Sequence, residues 1–296
     1  MKEGGGNPAP RVSGHFVDVV TTIKDVREAR RRRPGTLGFV PTMGYLHEGH
    51  LTLVRRARAE NEVVVASIFV NPTQFGPRED FGRYPRDPER DLAMLEHEGT
   101  DIVFMPPVEE MYPAGYDTYV DVFGVTERLE GAVRPGHFRG VATVVAKLFE
   151  ILRPTRAYFG QKDAQQLLVI QHMVHDLNMD LEVVPVATVR EPDGLAMSSR
   201  NTYLSPEERQ ASLVLIRALN VARDRYQSGE RDAEVLRRQM TALIEAEPRA
   251  RIDYVSVADP RTLEELTRIQ GAARALLAVR IGSTRLIDNM GMGVEP

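Results

Sequence analysis

The sequence predicts an α/β protein: a parallel-sheet unit in the longer first part of the chain, followed by a smaller α+β unit. Three observations lead there. Short apolar runs alternate with segments of helical period from Leu37 to about Val186, the pattern of βαβ units around a parallel sheet. After Val189 the order changes to long helical stretches and then clustered strand-like runs. The 296 residues, 42% of them hydrophobic, suffice for one large or two ordinary domains with a substantial core.

Each element has its own local signal. The Gly- and Pro-rich opening from Met1 to Pro10 has no periodicity, and residues 1–13 are expected to form a flexible tail. The periodic stretch Phe16 to Ala29 reads as a helix whose C-terminus carries Arg30 to Arg33, a basic run that suits the negative end of the macrodipole and is expected to be solvated. Strands are expected at Leu37–Pro41, Val63–Val70, Asp101–Met105, Ala157–Phe159 and Leu181–Val186. Between them His50–Asn61, Pro88–His97, Val141–Leu152 and Asp163–Leu177 read as helices. Arg190–Asn201 reads as a turn segment, Pro206–Gln227 and Ala233–Ala246 as helices, and Ile252–Ala258, Ala275–Ile281 and Thr284–Ile287 as strands. The expected organisation is a Rossmann-like domain over residues 1–188 and a smaller α+β lid domain over residues 189–296.

Composition removes several function classes. A net charge of −4 and a pI near 6.0 do not suit a general nucleic-acid binder, whose surface is strongly basic. Without cysteine there are no disulfides, thiolate metal sites or Cys nucleophiles, so any metal must be held by oxygen or imidazole. No apolar run has the length of a membrane span and the opening lacks the hydrophobic core of a signal peptide, so a cytoplasmic protein is expected.

In open parallel sheets ligands bind beyond the carboxyl ends of the strands, so chemistry is sought in the loops there. The first such loop runs from Pro41 to His50 and feeds into a helix. Its glycines let backbone approach a ligand, and the helix start offers unpaired N–H groups to an anion. His47 and His50 beside that start could stabilise a phosphate that gains charge as its bond breaks. As alternatives, they are surface residues of a helix start or metal ligands with His137. A second loop, Asn71–Gly76, leaves the next strand; by itself it reads as an ordinary polar turn, although a Gln there could hold a hydroxyl and a carboxylate without adding like charge. Lys162 follows a strand in a chain with four lysines among its 38 basic residues, and a compact ammonium in that loop suits a phosphate. Ser198, Ser199 and Arg200 have the composition to bind triphosphate, which is also ordinary loop composition. There is no Gly-x-x-x-x-Gly-Lys-Ser/Thr, so the chain is not a P-loop enzyme.

The His-x-Gly-His motif resembles the signature of the nucleotidyltransferase superfamily. The longer string Pro41-Thr42-Met43-Gly44-Tyr45-Leu46-His47-Glu48-Gly49-His50 resembles the pantothenate synthetase (pantoate–β-alanine ligase) family in particular. The segments Phe69–Phe75, Gly136–Val141, Tyr158–Asp163 and Met197–Asn201 resemble that family in order, so the likeness runs from about Phe16 to Asn289.

The resemblance implies ATP-dependent condensation of pantoate with β-alanine through a pantoyl-adenylate, with His50, His47 and Lys162 in the chemistry. It places ATP against residues from Met43, Gly44, Tyr45 and Leu46 through Glu48 and Gly49 to His50, against Gly160, Gln161, Lys162 and Asp163, and against Val189 and Met197 to Arg200. Asp163 is left either for the ribose or for capping its helix. Gln74 and Gln166 are implied to grip pantoate, with Asn71 and Arg134 near the substrates. Magnesium is expected on the triphosphate, held mainly by phosphate oxygens, with Asp91 as the candidate carboxylate or else a solvated acid of its helix. Arg90 stands where some relatives have an Asp, and Ala164 replaces an aromatic residue. A homodimer is also implied. Two rival readings are a nucleotidyl transferase acting on a phosphorylated substrate and a nucleotide-binding regulator without catalysis.

Overall fold

The computed structural model describes residues 17–77 and 79–293; the expected tail and Phe16 lie outside them. Where one helix is expected from Phe16, the chain forms a short strand, β1 (Asp18–Val20), and then helix α1 (Ile23–Arg31). Thr22 accounts for the difference. Its hydroxyl accepts the Asp25 N–H at the N-cap, and a cap residue is itself non-helical. Arg30 and Arg31 occupy the last turn, as the macrodipole favours, and Arg33 pairs with Asp18 at 2.9 Å.

The elements that follow are β2 (Leu37–Thr42), α2 (Glu48–Glu60), β3 (Val63–Ile68), α3 (Pro88–His97) and β4 (Ile102–Phe104). Two single-turn helices, α4 (Val108–Met111) and α5 (Glu130–Val133), lead to α6 (His137–Leu152), β5 (Arg156–Gly160), α7 (Ala164–Asp176) and β6 (Glu182–Val186). The six strands form one sheet in the order β1-β4-β3-β2-β5-β6, every pair parallel. Successive strand residues point to opposite faces, and both faces are covered. Leu37, Phe39, Val63, Val65, Ile102 and Phe104 enter the core shared with α1, α6 and α7. Val40, Val64, Ala66, Val103 and Tyr158 enter the opposite core, against α2 and α3. Tyr158, fully buried, puts its hydroxyl within 2.7 Å of Asn61 and 2.9 Å of Glu60.

The C-terminal part has helices α8 (Pro206–Ala211), α9 (Val214–Gln227) and α10 (Ala233–Glu245) packed on an antiparallel sheet of β7 (Ala250–Ala258), β8 (Ala273–Ile281) and β9 (Thr284–Met292). The stretch expected as one helix from Pro206 is two, separated at Ser212, whose hydroxyl bonds back to the Arg209 carbonyl at 2.7 Å. β9 runs beyond the expected Ile287 to Met292 because it pairs with β8 along its whole length, from Ile281↔Thr284 to Ala273↔Met292. The two sheets have separate cores, joined by a small cluster in which Val125, Phe138 and Val169 meet Ala258, Leu263 and Leu276. No helix among the described residues is long and apolar enough to cross a membrane.

Candidate active site

Strand β2 has β3 on one side and β5 on the other, so chain connections leave it in opposite directions and a crevice opens at its carboxyl end. The loops after β2, β3, β5 and β6 converge there around a cavity of ≈ 230 Å³. Met43, His47, Gly49 and His50 line it from the first loop, Asn71 and Gln74 from the second, Gly160, Lys162 and Asp163 from the third. Gln166, Val189 and Met197 to Arg200 complete the set of expected residues on its wall.

The two histidines belong to the start of α2. His47 is the N-cap and its Nδ1 accepts the Gly49 N–H at 3.1 Å, while the Nδ1 of His50 accepts the His47 N–H at 3.3 Å. A nitrogen that accepts is unprotonated, so in both neutral rings the proton sits on Nε2, the remaining donor. The rings lie 4.1 Å apart between centroids. Burial, followed by the charge of Lys162, lowers the His47 pKa to about 4; burial, then His47 and Lys162, lower that of His50 to about 3. Both are therefore neutral hydrogen-bond donors near pH 7. Gly49 is required beneath them, since a Cβ there would lie 2.9 Å from the His47 ring.

On the other side of the cavity Gln74 and Gln166 differ in how they are held. Gln74 Oε1 accepts from Asn71 Nδ2 at 3.0 Å, and its Nε2 meets only the weak acceptor Sδ of Met43 at 3.4 Å, which leaves amide hydrogens for a ligand. Gln166 is half-buried, while its neighbour Gln165 turns away to bond the Val125 and Arg128 carbonyls at 2.7 and 2.8 Å. Asn71, expected to touch substrate, has its capacity filled: it donates to Gln74 and to the Gly140 carbonyl, and its oxygen takes Thr73 and the Tyr112 hydroxyl. It therefore positions Gln74. Arg134, unlike Asn71, does not line this cavity. It forms a two-point pair with Glu79 at 2.6 and 2.8 Å and donates to His137 Nε2, whose other nitrogen then donates to the Gln74 carbonyl at 2.9 Å.

Lys162, Asp163, Gln166, Ser198 and Arg200 also line a second cavity, of ≈ 580 Å³, that reaches between the two sheets and includes Arg134. Asp163 stands at the N-cap position of α7 without a side-chain capping bond, so it does not fill the expected capping role. Ser198 Oγ accepts the Arg200 N–H at 3.3 Å, and the Arg200 guanidinium makes a two-point pair with Asp80 at 2.9 and 3.0 Å.

Other expected ligand residues stand behind the wall. Leu46 is fully buried in the sheet core, Glu48 pairs with Arg55 on the surface, and Gly44, Tyr45 and Gln161 shape the loops without facing the cavity. Asp91 is corrected most clearly. Its two oxygens accept the Tyr45 and Leu46 N–H groups at 2.6 and 2.7 Å, it is 1% exposed, and it does not reach the cavity, so it does not fit the role of magnesium ligand. Among the described residues no group of three His, Asp or Glu side chains converges to hold a metal.

Sequence reasoning missed Asp80, which holds Arg200, and Asn289 on β9, whose Nδ2 bonds the Gln161 and Lys162 carbonyls at 2.9 Å. It also missed Tyr84 on the cavity wall. None of these stands in a motif; only the fold brings them near.

Residues 18–291 match the family model for pantoate-beta-alanine ligase. The chain belongs to that family. Among relatives of this ligase family, the pantothenate synthetase of Roseiflexus sp. (strain RS-1) is 64% identical over 271 residues, covering 92% of this chain and 98% of that one. That of Herpetosiphon aurantiacus is 62% identical over 277 residues, covering 93% and 100%. The crystal structure of pantothenate synthetase from Thermus thermophilus superposes with a TM-score of 0.89 at 54% identity, over 93% of this chain and 99% of that one. The pantoate-beta-alanine ligase of Francisella tularensis, complexed with beta-gamma ATP and beta-alanine, gives 0.77 at 33% identity, over 93% and 97%.

Proposed function

We propose that the chain condenses pantoate with β-alanine, using ATP, to give pantothenate, AMP and pyrophosphate. The observation that carries this is the convergence, at one strand-order reversal, of two neutral histidine donors and a lysine with two glutamines on the same cavity wall. Family membership supports the same reaction, and the Francisella relative is complexed with beta-gamma ATP and beta-alanine.

A carboxylate oxygen of pantoate attacks the α-phosphorus, the bond to the β-phosphate oxygen breaks, and pyrophosphate leaves with those electrons. The amine of β-alanine then attacks the acyl carbon, AMP departs, and the amine loses a proton. In the first step the Nε2–H groups of His47 and His50 and the ammonium of Lys162 stabilise charge gathering on the phosphate oxygens. The low pKa values of the histidines make them hydrogen-bond donors in this step, not acids. Gln74 and Gln166 orient pantoate, and the cavity keeps water from the mixed anhydride. Ser198, Ser199 and Arg200 take the triphosphate, Arg200 exchanging Asp80 for phosphate. Magnesium arrives with ATP as part of the substrate, bound by phosphate oxygens and water. We further place the chain in the cytoplasm as a homodimer that binds no nucleic acid, with residues 189–296 acting as a lid on residues 1–188.

Pyrophosphate–ATP exchange, with magnesium present and β-alanine omitted, tests the reading. Exchange that requires pantoate, followed by AMP release on adding β-alanine, is the expected result. Absence of pantoate-dependent exchange refutes it and favours transfer to another acceptor or binding without turnover.

A further inference from the structure

The loop between β2 and α2 is held in an unusual way. Gly44 and Tyr45 are both left-handed, with φ of +81° and +51°, and a tyrosine adopts that conformation only where its surroundings over-determine it. Here they do. The Tyr45 and Leu46 N–H groups both donate to Asp91, at 2.6 and 2.7 Å; the Leu46 carbonyl accepts from Arg90 Nη2 at 2.9 Å; the Tyr45 carbonyl accepts from Ser199 Oγ at 3.1 Å. All the backbone polar groups of two consecutive residues are thus gripped by side chains from elsewhere in the chain. The Arg90 guanidinium also lies 5.3 Å over the Tyr45 ring. The next residue is His47.

We infer that Asp91, with Arg90 beside it on α3, is a positioning residue that sets His47 and His50 against Lys162 and the α-phosphate. This rests on the reading of those histidines given above. The carboxylate is suited to the task because one rigid group accepts two parallel N–H bonds. Arg90 completes it by taking the carbonyl that Asp91, as an acceptor, cannot. Such a clamp explains why a buried acid is placed behind the wall of a phosphate site: it holds a strained turn, and through the turn the direction of two Nε2–H donors. Its effect is on the transition state, where a misplacement of about 1 Å costs ~100-fold in rate.

Asp91→Asn is the direct test. The amide keeps one acceptor but sets an N–H donor against a backbone N–H donor, so the turn relaxes. Expected are a cooperative thermal transition, a fall in the exchange kcat of ~100-fold, a pantoate KM close to that of the unchanged protein, and an unchanged magnesium half-saturation. Arg90→Met keeps an apolar stem beside Tyr45 and removes the guanidinium that donates to the Leu46 carbonyl and lies over the Tyr45 ring. It is expected to lose kcat in the same direction by a smaller factor, which keeps the inference testable should Asp91→Asn not fold. Normal kcat in either folded variant overturns the inference, as does recovery of the lost rate by added magnesium, which would make Asp91 a metal ligand. Failure of the unchanged protein to show pantoate-dependent exchange counts against the proposed function instead.

Discussion

At the scale of single residues, the hydrogen bonds of His47 and His50 decide what the histidines can do. Both Nδ1 atoms accept from backbone N–H groups, so protonation there would break the bonds that begin α2. Nitrogen-detected NMR is expected to show both rings in the Nε2–H form at pH 7, with no titration above about pH 5. Replacing His50 with Ala should lower the exchange kcat by about 10²–10³, the loss typical for one transition-state donor, and leave pantoate affinity little changed. Equal losses in kcat and affinity would show that His50 serves binding instead. The same pKa values bear on stability. His47 and His137 are lowered to about 4 and His50 to about 3, burial being the first cause for each, from an ordinary 6.5. Below pH 6.5 the unfolded chain takes up protons that the folded chain refuses, so this contribution is complete above 6.5 and declines as pH falls towards 4. The urea midpoint is therefore expected to be lower at pH 5 than at pH 7, and less so in a variant with both His47 and His50 changed to Gln.

At the scale of elements, helices bring backbone close to the substrate loops. Gly140 on α6 lies against the turn that carries Gln74: a Cβ there would sit 2.6 Å from the Thr73 carbonyl carbon and 2.7 Å from the Gln74 nitrogen. Neither is the flexible end of a side chain, so the helix or the turn must move. Gly140→Ala should destabilise by about 1–3 kcal/mol, as overpacking does, and raise the pantoate KM. Gly76 gives the contrast, since its nearest contacts are at 3.7 Å on the Glu79 side chain. Thermal melts and steady-state kinetics of the two alanine variants check this. A Gly140→Ala protein with unchanged melting and KM would mean that the close approach of α6 has no bearing on Gln74.

At the scale of the whole molecule, the C-terminal part is held to the sheet by charge pairs across long sequence distances. Arg285 on β9 makes a two-point pair with Glu130 at 2.7 and 2.8 Å, and the Tyr254 hydroxyl adds a third bond to the same carboxylate at 3.0 Å. Arg128 and Glu264 form a second, more exposed pair across the same boundary at 3.2 Å. Glu130 is 5% exposed, and the Arg285 guanidinium holds its carboxyl below the usual range against the upward push of burial. Removing one partner of a buried pair strands the other, so Arg285→Met should cost about 3–5 kcal/mol in urea unfolding. Adding Glu130→Gln should restore part of that. If the double variant is as unstable as the single, the loss comes from Arg285 packing and its 2.6 Å pair with Asp253, and not from a stranded Glu130.

Much of the architecture was legible in the sequence because strand and helix patterns are local. The alternation of apolar runs and helical periods from Leu37 to Val186 gave the sheet, and α3 was read with its observed bounds because Pro88 opens it and the apolar period ends at His97. The strand β1 was not legible: three residues are too few to show a period, and Thr22 acts as a cap only once the chain bends there. Of the site, the motif residues His47, His50 and Lys162 could be named from sequence, since their loops follow strands in a parallel sheet. The bonding of Asp91 could not be read, because an acid at that place in a helix looks the same whether it meets a metal, water or two backbone N–H groups. Nor could Asn71 be separated from Gln74, or Asp80 and Asn289 found, since their roles depend on contacts between segments far apart in the chain. Sequence alone determined which chemistry could be assembled, because residue type sets donors, acceptors and charge. Tertiary structure decided which of those groups face the cavity and which hold it in shape, because only packing settles where each hydrogen bond is used.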